Sequence, residues 1–263
     1  MDAGADYLSL RAIVEGVTRR WLTLLGSMGA PGTPVPDLSW NTGELTAHVI
    51  SVVESFDCYV GTQVGPEYPY DRLTEFNRSR MARVAERDPA ESARRLERAM
   101  TGFLQRTRQS DPTDPVPWFD GHIVDISTAH AVLAAELLVH GRDLARARRV
   151  SWPIPAAEAR HTIIGMLPAV PATADPVTAA DTDFHARVRL WGSPPFGFRV
   201  LGGKVEITDG SDRADVTLWA HPTSFLLASF GRVSPLRLAM RGRALAWGRR
   251  PWLALTLPRL FRT

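Results

Sequence analysis

The chain has 263 residues, of which 44% are hydrophobic and 22% are charged. This apolar share can build one or two cores, so the composition excludes a disordered chain, a collagen-like repeat and a small disulfide-stapled scaffold. The formal net charge is only +3, from 31 basic and 28 acidic residues that are interspersed along the chain. This balance argues against a nucleic-acid partner, which usually meets a concentrated basic patch.

The cysteine content limits the kinds of metal site that the chain can build. Its one cysteine, Cys58, excludes an internal disulfide, a cysteine-based zinc site and an iron–sulfur cluster. Any metal ligands must therefore be histidines and carboxylates. The N-terminal residues lack the basic start and apolar stretch of a signal peptide, and no segment reaches the roughly 18 apolar residues of a membrane span. We therefore expect a cytoplasmic protein with no integral membrane segment.

Four helices are predicted in the first part of the chain. Apolar residues recur at helical spacing, and glycine- and proline-rich segments separate the helices. Asn41 and Glu44 have the spacing of a capping box at the start of the second helix. We interpret residues 1–152 as a four-helix bundle. The four predicted helices cover residues 7–25, the segment that follows Asn41, residues 91–107 and residues 126–149.

The pattern changes in the second part of the chain. Four short segments rich in β-branched and aromatic residues, separated by Gly, Pro and Asp turns, predict an antiparallel sheet. After these segments the sequence predicts two helices, one of which ends at Gly231, and one further strand between them. We interpret residues 172–263 as a small α+β domain and residues 153–171 as a linker or interdomain helix. The predicted strands are 185–192, 196–203, 204–210, 214–220 and 243–247, and the helices are 222–232 and 250–261.

Three polar residues fall on helix faces that should point into the bundle. His48 lies within the apolar stripe of the second helix, and Glu136 and His140 lie within that of the fourth, about 40° apart around the helix. A divalent cation bound by two histidines and one carboxylate would satisfy all three groups and keep one coordination position open. The alternative is a hydrogen-bonded core histidine at position 48 and a simple buried pair of Glu136 and His140. The stripes are Leu45, Val49, Val52 and Phe56, and Leu133, Leu137 and Leu144.

Other residues are weaker candidates for a role at this site. Asp143 follows His140 by nearly one turn and is a candidate acceptor that orients a ligating imidazole, or else a surface partner of a neighbouring arginine. His122 and His130 are poor ligand candidates because of their positions around the helix or outside it. Cys58 should be a small core or half-buried residue and not a nucleophile, because no His or Arg lies three or four positions away to stabilise its thiolate.

The second part of the chain is less explicit about chemistry. Arg232 and Arg237 belong to an arginine-rich segment and are candidate contacts for a substrate carboxylate, although a solvated face is the alternative. The apolar helix before them lines a hydrophobic groove or packs as ordinary core. Neither a G-x-S-x-G elbow nor a glycine-rich phosphate loop is present, which disfavours a hydrolase and a nucleotide-binding protein.

Several motifs together resemble those of the mycothiol-dependent maleylpyruvate isomerase-like proteins of actinobacteria. The segment SWNTGELTAHVI is similar to that family's helix start with Trp, Leu and His, and ELLVHGRDLARA is similar to its Glu-x-x-x-His-Gly-x-Asp-Leu-Ala segment. The C-terminal sequence resembles a sterol-carrier-protein-like domain, with Gly231 and Arg232 at its Gly-Arg position. The resemblance covers most of the chain and departs from the family at Arg142, where Trp is common.

The resemblance implies a DinB-like four-helix bundle that holds a divalent metal, usually zinc, followed by the sterol-carrier-protein-like domain. The family's metal ligands fall on His48, Glu136 and His140, the residues that the helical faces already single out. The resemblance further implies mycothiol as thiol cosubstrate, whose zinc-bound thiolate would attack an electrophilic carbon of a small substrate. It identifies no catalytic residue of the chain beyond the metal ligands.

The residues leave more than one function open. The first is a metal- and mycothiol-dependent isomerase or S-transferase that acts on a small electrophile. The alternative is a non-enzymatic, metal-containing binding protein whose C-terminal domain holds a lipid or another apolar ligand, and a regulatory partner protein is a weaker third. Inward-facing His48, Glu136 and His140 favour the enzyme, since a pure scaffold would be more stable with leucine there.

Overall fold

The computed structural model describes residues 3–62, 65, 72–84, 87–181, 183–255 and 257–260. The chain divides into two compact units, Met1–Pro153 and Ile154–Thr263. Helices dominate the first unit, and a sheet with helices forms the second, which confirms the α+β class. That residues 1–152 and 172–263 fold as independent domains stays a prediction. Across the described residues, no helix combines the length and apolarity that crossing a membrane requires.

The described part of the first unit contains five α-helices, one more than the sequence predicted. All four predicted helices are present, and α3 is the addition. Its sequence, LTEFNRSRMAR, is too polar to carry an apolar stripe, so the hydrophobic pattern does not reveal it. The helices are α1 (Ala3–Gly26), α2 (Thr42–Tyr59), α3 (Leu73–Arg83), α4 (Pro89–Arg106) and α5 (Ile126–Ala147).

A short antiparallel hairpin connects α4 to α5. Strands β1 (Pro115–Pro117) and β2 (Ile123–Asp125) pair in this proline-rich segment, which the sequence marked only as a helix break. The central pair, Val116 and Val124, is buried, and the prolines occupy the two ends of β1. Because β2 runs directly into α5, the hairpin fixes where that helix starts.

Side-chain caps set the first residues of the two helices that carry the predicted ligands. At α2, the Asn41 side chain accepts from the Glu44 N–H at 2.9 Å, and the Glu44 carboxylate accepts from the Asn41 N–H at 2.9 Å, which confirms the capping box. At α5, the Asp125 side chain accepts from the Thr128 N–H at 2.6 Å. These caps fix the start of each helix.

The core of the bundle lies between α1, α2, α4 and α5, which pack on one another. Trp21 of α1 is fully buried, and its indole N–H donates to the Leu137 carbonyl of α5 at 2.8 Å. In α2, Val52 is only half-buried and Val53 is buried in its place, so the apolar face is rotated slightly from the predicted stripe.

The second unit is built on a five-stranded sheet with the order β5-β4-β3-β6-β7. The segment predicted as linker or interdomain helix contains α6, which packs against α8 within this unit. Short 3-10 helices cover Leu167–Thr173 and Pro251–Leu255. The strands are β3 (Phe184–Leu190), β4 (Phe196–Leu201), β5 (Lys204–Thr208), β6 (Val216–Ala220) and β7 (Ala244–Gly248). The helices are α6 (Ala156–Met166), α7 (Pro176–Ala180), α8 (Pro222–Ser229), α9 (Pro235–Met240) and α10 (Leu257–Leu260).

The sheet is mixed, so the prediction of a fully antiparallel sheet is wrong at one pairing. Strand β3 pairs antiparallel with β4 but parallel with β6. The loop of residues 209–215 brings the chain from the β5 edge to the other side of β3. The Arg187 guanidinium holds this loop by donating to the carbonyls of Gly210 at 2.5 Å and Asp212 at 2.7 Å. Gly210 has φ +70°, and a Cβ there would lie 2.9 Å from the Phe196 backbone.

His130 is a core residue of the bundle. Its side chain is completely buried, and its Nδ1 donates to the Ile126 carbonyl at 2.8 Å. The imidazole ring packs 4.6 Å from the Phe103 ring and 5.1 Å from the Tyr7 ring, measured between centroids. Burial lowers the pKa of His130 to about 4, which means that the folded chain holds this imidazole neutral.

This burial predicts a pH dependence of stability. Because the pKa of His130 is lower in the folded chain than its usual 6.5, its contribution to the free energy of unfolding is complete above about pH 6.5 and is lost as the pH falls towards 4. We expect the loss from this residue to be about 2 kcal/mol between pH 7 and pH 5. Urea unfolding of the wild type and of His130→Leu at both pH values tests this, since the variant should lose less stability. Parallel losses in the two proteins would contradict the assignment.

Candidate metal centre

Two helices bring the three predicted ligands together inside the first unit. His48 lies in the second turn of α2, and Glu136 and His140 are separated by one turn of α5. The Glu136 Oε2 lies 3.3 Å from the His48 Nε2 and 3.2 Å from the His140 Nε2. One ligand atom from each residue lies within 4.8 Å of the others. The packing of α2 on α5 thus brings two imidazoles to one carboxylate oxygen.

The three side chains are largely removed from solvent. His48 is 5% exposed and His140 is 6% exposed, while the Glu136 side chain retains 19% exposure. The site is therefore sheltered in the bundle with some access at the carboxylate. A charged carboxylate in such a place is costly unless hydrogen bonds or a cation compensate it.

Burial and hydrogen bonding act in opposite directions on the two acid–base groups of α5. Burial raises the pKa of Glu136, but hydrogen bonds from His140 and His48 outweigh it and hold that pKa well below its usual range. Burial lowers the pKa of His140, but hydrogen bonds to Asp143 and Glu136 outweigh it and raise the pKa. The carboxylate is therefore anionic in the folded protein.

Asp143 lies on the far side of the His140 ring. Its Oδ2 is 3.3 Å from the His140 Nδ1, and its side chain is 1% exposed. The Arg142 guanidinium approaches the other Asp143 oxygen at 4.0 Å. A proton held on Nδ1 by this carboxylate leaves the lone pair of a neutral imidazole on Nε2, which faces Glu136.

Trp40, the tryptophan of the family-like helix start, is a part of the site to which the sequence analysis gave no role. Its ring centroid lies 4.9 Å from that of His48 and 6.3 Å from that of His140. The residue immediately precedes the Asn41 cap, so the turn that starts α2 also places the indole against the ligands. Its place directly before the capping residue Asn41 was the signal available in the sequence. The indole forms an apolar wall beside both imidazoles.

A second tryptophan, Trp152, packs against α5. The Trp152 indole N–H donates to the Leu138 carbonyl at 3.0 Å. Its ring lies against Gly141, where a Cβ would come within 2.1 Å of a Trp152 ring carbon. Glycine is therefore required next to His140 by close packing, since α-helical φ and ψ angles alone would accept alanine.

The donor set fits a divalent cation such as zinc. Two imidazole nitrogens and one carboxylate oxygen are ligand types that zinc takes. With no cation present, both nitrogens must carry protons to donate to the shared Glu136 oxygen. A cation among the three atoms would allow both neutral imidazoles to use their lone pairs, which is the arrangement that Asp143 favours at His140.

The remaining candidates are not among the three clustered residues. His122 is exposed, and His130 packs in the core away from this cluster. Cys58 is exposed, so the expectation of a core or half-buried thiol is wrong. Its position near the end of α2 turns the side chain away from the packed face of the helix. Arg232 and Arg237 belong to the second unit, where Arg232 donates to the Phe230 carbonyl at 2.6 Å and Arg237 is exposed on α9.

A family model places the helical unit among known proteins. The model described as "Mycothiol maleylpyruvate isomerase N-terminal domain" matches residues 14–145, which is half of the chain and includes all three clustered residues. The chain belongs to this family. No curated protein matches the chain.

Two solved structures with a similar fold are described as mycothiol-dependent maleylpyruvate isomerases. The chain is similar to a crystal structure of the mycothiol-dependent maleylpyruvate isomerase, with a TM-score of 0.56 and 15% identity over 87% of this chain and 90% of that one. It is also similar to a histidine-to-alanine mutant of a mycothiol-dependent maleylpyruvate isomerase, with a TM-score of 0.57 and 14% identity over 91% and 92% of the two chains. At these identities the likeness shows the fold.

The contact of Trp152 with Gly141 predicts the effect of adding one methyl group. Helix propensity alone would make Gly141→Ala stabilising by about 1 kcal/mol, but the new Cβ overlaps the indole. We expect the variant to lose about 1–3 kcal/mol of unfolding free energy. Urea unfolding measures this change. Gly16→Ala in α1 is the matched control, because its nearest neighbour is the end of a flexible Arg19 side chain at 3.9 Å. Equal stability of the two variants would contradict the packing argument.

Proposed function

We propose that the protein is a mycothiol-dependent isomerase that holds a divalent metal, zinc, at His48, Glu136 and His140. The observation that carries this proposal is the convergence of three ligand atoms within 4.8 Å inside the domain that the family model matches. The names of the family and of the similar structures support the choice of mycothiol and of isomerisation. The substrate class is a small electrophile with an activated double bond.

The residues around the site have distinct tasks in this proposal. When bound, the metal supplies Lewis-acid chemistry that lowers the pKa of a thiol at its open position. Glu136 contributes the one negative charge among the ligands and lies between both imidazoles. Asp143 keeps the proton of His140 on Nδ1 and so orients Nε2. Trp40 shields the pair of imidazoles from water with its ring face.

Two other functions stay as alternatives with less support. An S-transferase would use the same site, and it differs in keeping the thiol adduct as product in place of releasing the thiol. A non-enzymatic protein that binds an apolar ligand would need the second unit and not the cluster. The buried placement of Glu136 favours the enzyme, because a scaffold gains nothing from an anionic carboxylate in its core.

Metal content is the direct test of the site. Protein purified without added metal should contain about one equivalent of zinc by elemental analysis, because the three ligands fill three of the four tetrahedral positions. His140→Ala should lose this zinc while circular dichroism shows that the helices persist. His122→Ala, an exposed histidine outside the cluster, should retain it. Folded wild-type protein that is free of metal and does not take up added zinc would overturn the site.

Thiol dependence is the direct test of the reaction. With mycothiol and an electrophilic cis-alkene such as maleylpyruvate, the wild type should produce the trans isomer, and His48→Ala should lose at least about 100-fold in kcat/KM. Cys58→Ser should keep full activity, because Cys58 is exposed and is not one of the clustered ligands. Activity without added thiol, or its loss in Cys58→Ser, would contradict the proposal. Accumulation of the thiol adduct as final product would favour the S-transferase.

A further inference from the structure

The C-terminal part of the chain has a charge pattern that the whole-chain balance conceals. Residues 216–263 contain eight arginines and no aspartate, glutamate or lysine. The formal net charge of the entire chain is only +3, so the remaining residues carry a net negative charge. The expectation of interspersed charges therefore fails for this segment, which includes β6, β7 and the helices α8, α9 and α10. Net positive charge is therefore concentrated in residues 216–263.

Helix α9 presents apolar and cationic residues side by side to solvent. Leu236 is 62% exposed and Met240 is 74% exposed, and these residues lie one turn apart on one face. Arg237 and Arg241 form the adjacent row and are exposed. Leu238, on the opposite side of the helix, is buried. The side of α9 that faces water thus carries two large apolar side chains beside its arginines, which is unusual for a helix packed on a sheet.

The strand that packs against α9 also exposes apolar residues. Strand β7 packs against α9 and forms the edge of the sheet, since it pairs with β6 alone among the described strands. Leu245 and Trp247 alternate onto one face of β7 and are 54% and 46% exposed. The exposed Trp252 follows in the 3-10 helix that also packs on β7. We call Leu236, Met240, Leu245 and Trp247, with Arg237, Arg241 and Arg243, the cationic apolar surface.

The arginines of this surface are available to an external anion. Arg237, Arg241 and Arg243 are exposed, and none forms an ion pair with any residue that the structure describes. Arg249, further along the chain, differs because its guanidinium lies 3.0 Å from the Asp215 carboxylate. Three uncompensated guanidinium groups next to exposed Leu and Met side chains favour a partner that offers both negative charge and apolar volume.

Charge and chemistry distinguish the candidate partners. In a two-fold dimer, in which this surface would meet itself, arginines would face arginines because acidic residues are absent from the whole segment. A nucleic acid would satisfy the arginines but would leave Leu236 and Met240 against phosphates and sugars. An anionic bilayer supplies lipid phosphates for the arginines, acyl chains for Leu and Met, and an interface in which tryptophan is favourable.

We propose that the cationic apolar surface binds the second unit peripherally to the surface of an anionic lipid bilayer. Arg237, Arg241 and Arg243 contact lipid phosphates, and Leu236 and Met240 insert at the boundary of the acyl chains. This inference does not rest on the metal centre or on the proposed reaction. It places the proposed enzyme at a membrane surface, where it would meet substrates that partition into the bilayer.

Vesicle binding of the full-length protein tests the electrostatic part. The wild type should co-sediment with vesicles of phosphatidylcholine mixed with phosphatidylglycerol and not with phosphatidylcholine alone. Binding should weaken as the ionic strength rises from about 0.01 M to about 1 M, because the screening length falls from about 30 Å to about 3 Å. The triple variant Arg237→Glu/Arg241→Glu/Arg243→Glu should bind at least about 100-fold more weakly.

A matched variant separates the surface from the overall charge. Arg19→Glu/Arg78→Glu/Arg108→Glu changes three exposed arginines of the first unit and lowers the net charge by the same amount. This variant should bind anionic vesicles within about threefold of the wild type if the arginines of the second unit are responsible. An equal loss in both triple variants would overturn the proposal and indicate a general charge effect.

The apolar part has its own pair of variants. Leu236→Ser/Met240→Ser should weaken vesicle binding by about tenfold or more, because two side chains no longer enter the interface. Leu8→Ser/Ile123→Ser changes two comparably exposed residues of the first unit, 64% and 67% exposed, and should leave binding unchanged. Metal content and secondary structure measured on each variant show that the fold is intact.

Three results would overturn the proposal. The first is no binding of the wild type to anionic vesicles at low salt. The second is binding to a DNA or RNA oligonucleotide that is tighter than vesicle binding and insensitive to Leu236→Ser/Met240→Ser, which would assign the arginines to a nucleic acid. The third is a concentration-dependent dimer, seen by analytical ultracentrifugation, that Leu236→Ser/Met240→Ser dissociates, which would assign the surface to a second copy.

Discussion

One carboxylate oxygen held between two imidazole nitrogens is the constraint on which the first unit is organised. The Glu136 Oε2 contacts both His48 and His140, so α2 and α5 must keep their rotation and their axial position to within a fraction of a turn. The capping box of Asn41 and the Asp125 cap satisfy this requirement by fixing the first residue of each helix. A one-residue slip of either helix would turn its ligand by about 100° and break the site.

The same constraint explains why aromatic side chains surround α5. A carboxylate in a bundle core costs stability because it is desolvated, and three tryptophan rings pack near the part of α5 that carries it. Trp40 covers the imidazoles, while Trp152 and Trp21 donate hydrogen bonds to carbonyls of α5 at Leu138 and Leu137. These donors occupy helix carbonyls from outside and brace the segment that carries the ligands. These contacts position the turns of α5 that carry Glu136 and His140.

Sequence periodicity predicted the ligand cluster because both ligand helices follow a regular 3.6-residue repeat and start at recognisable caps. The same reasoning could not find Trp40 or the contact of Trp152 with Gly141, since these involve non-periodic segments whose paths depend on the folded bundle. It missed α3 because that helix has no apolar stripe. It also predicted the wrong direction for the β3–β6 pair, because side-chain alternation is identical in parallel and antiparallel strands.

The parallel pairing of β3 with β6 has a consequence for how the second unit is made. Strand β3 lies at the centre of the finished sheet, yet its neighbour on one side begins at Val216, well after the meander of β3, β4 and β5 is complete. Until β6 leaves the ribosome, the nascent chain displays β3 as an open edge with its hydrogen-bonding groups unpaired. Premature termination between Thr208 and Val216 would therefore yield a product prone to edge-to-edge association, whereas in the complete chain β6 covers this edge after the loop held by Arg187.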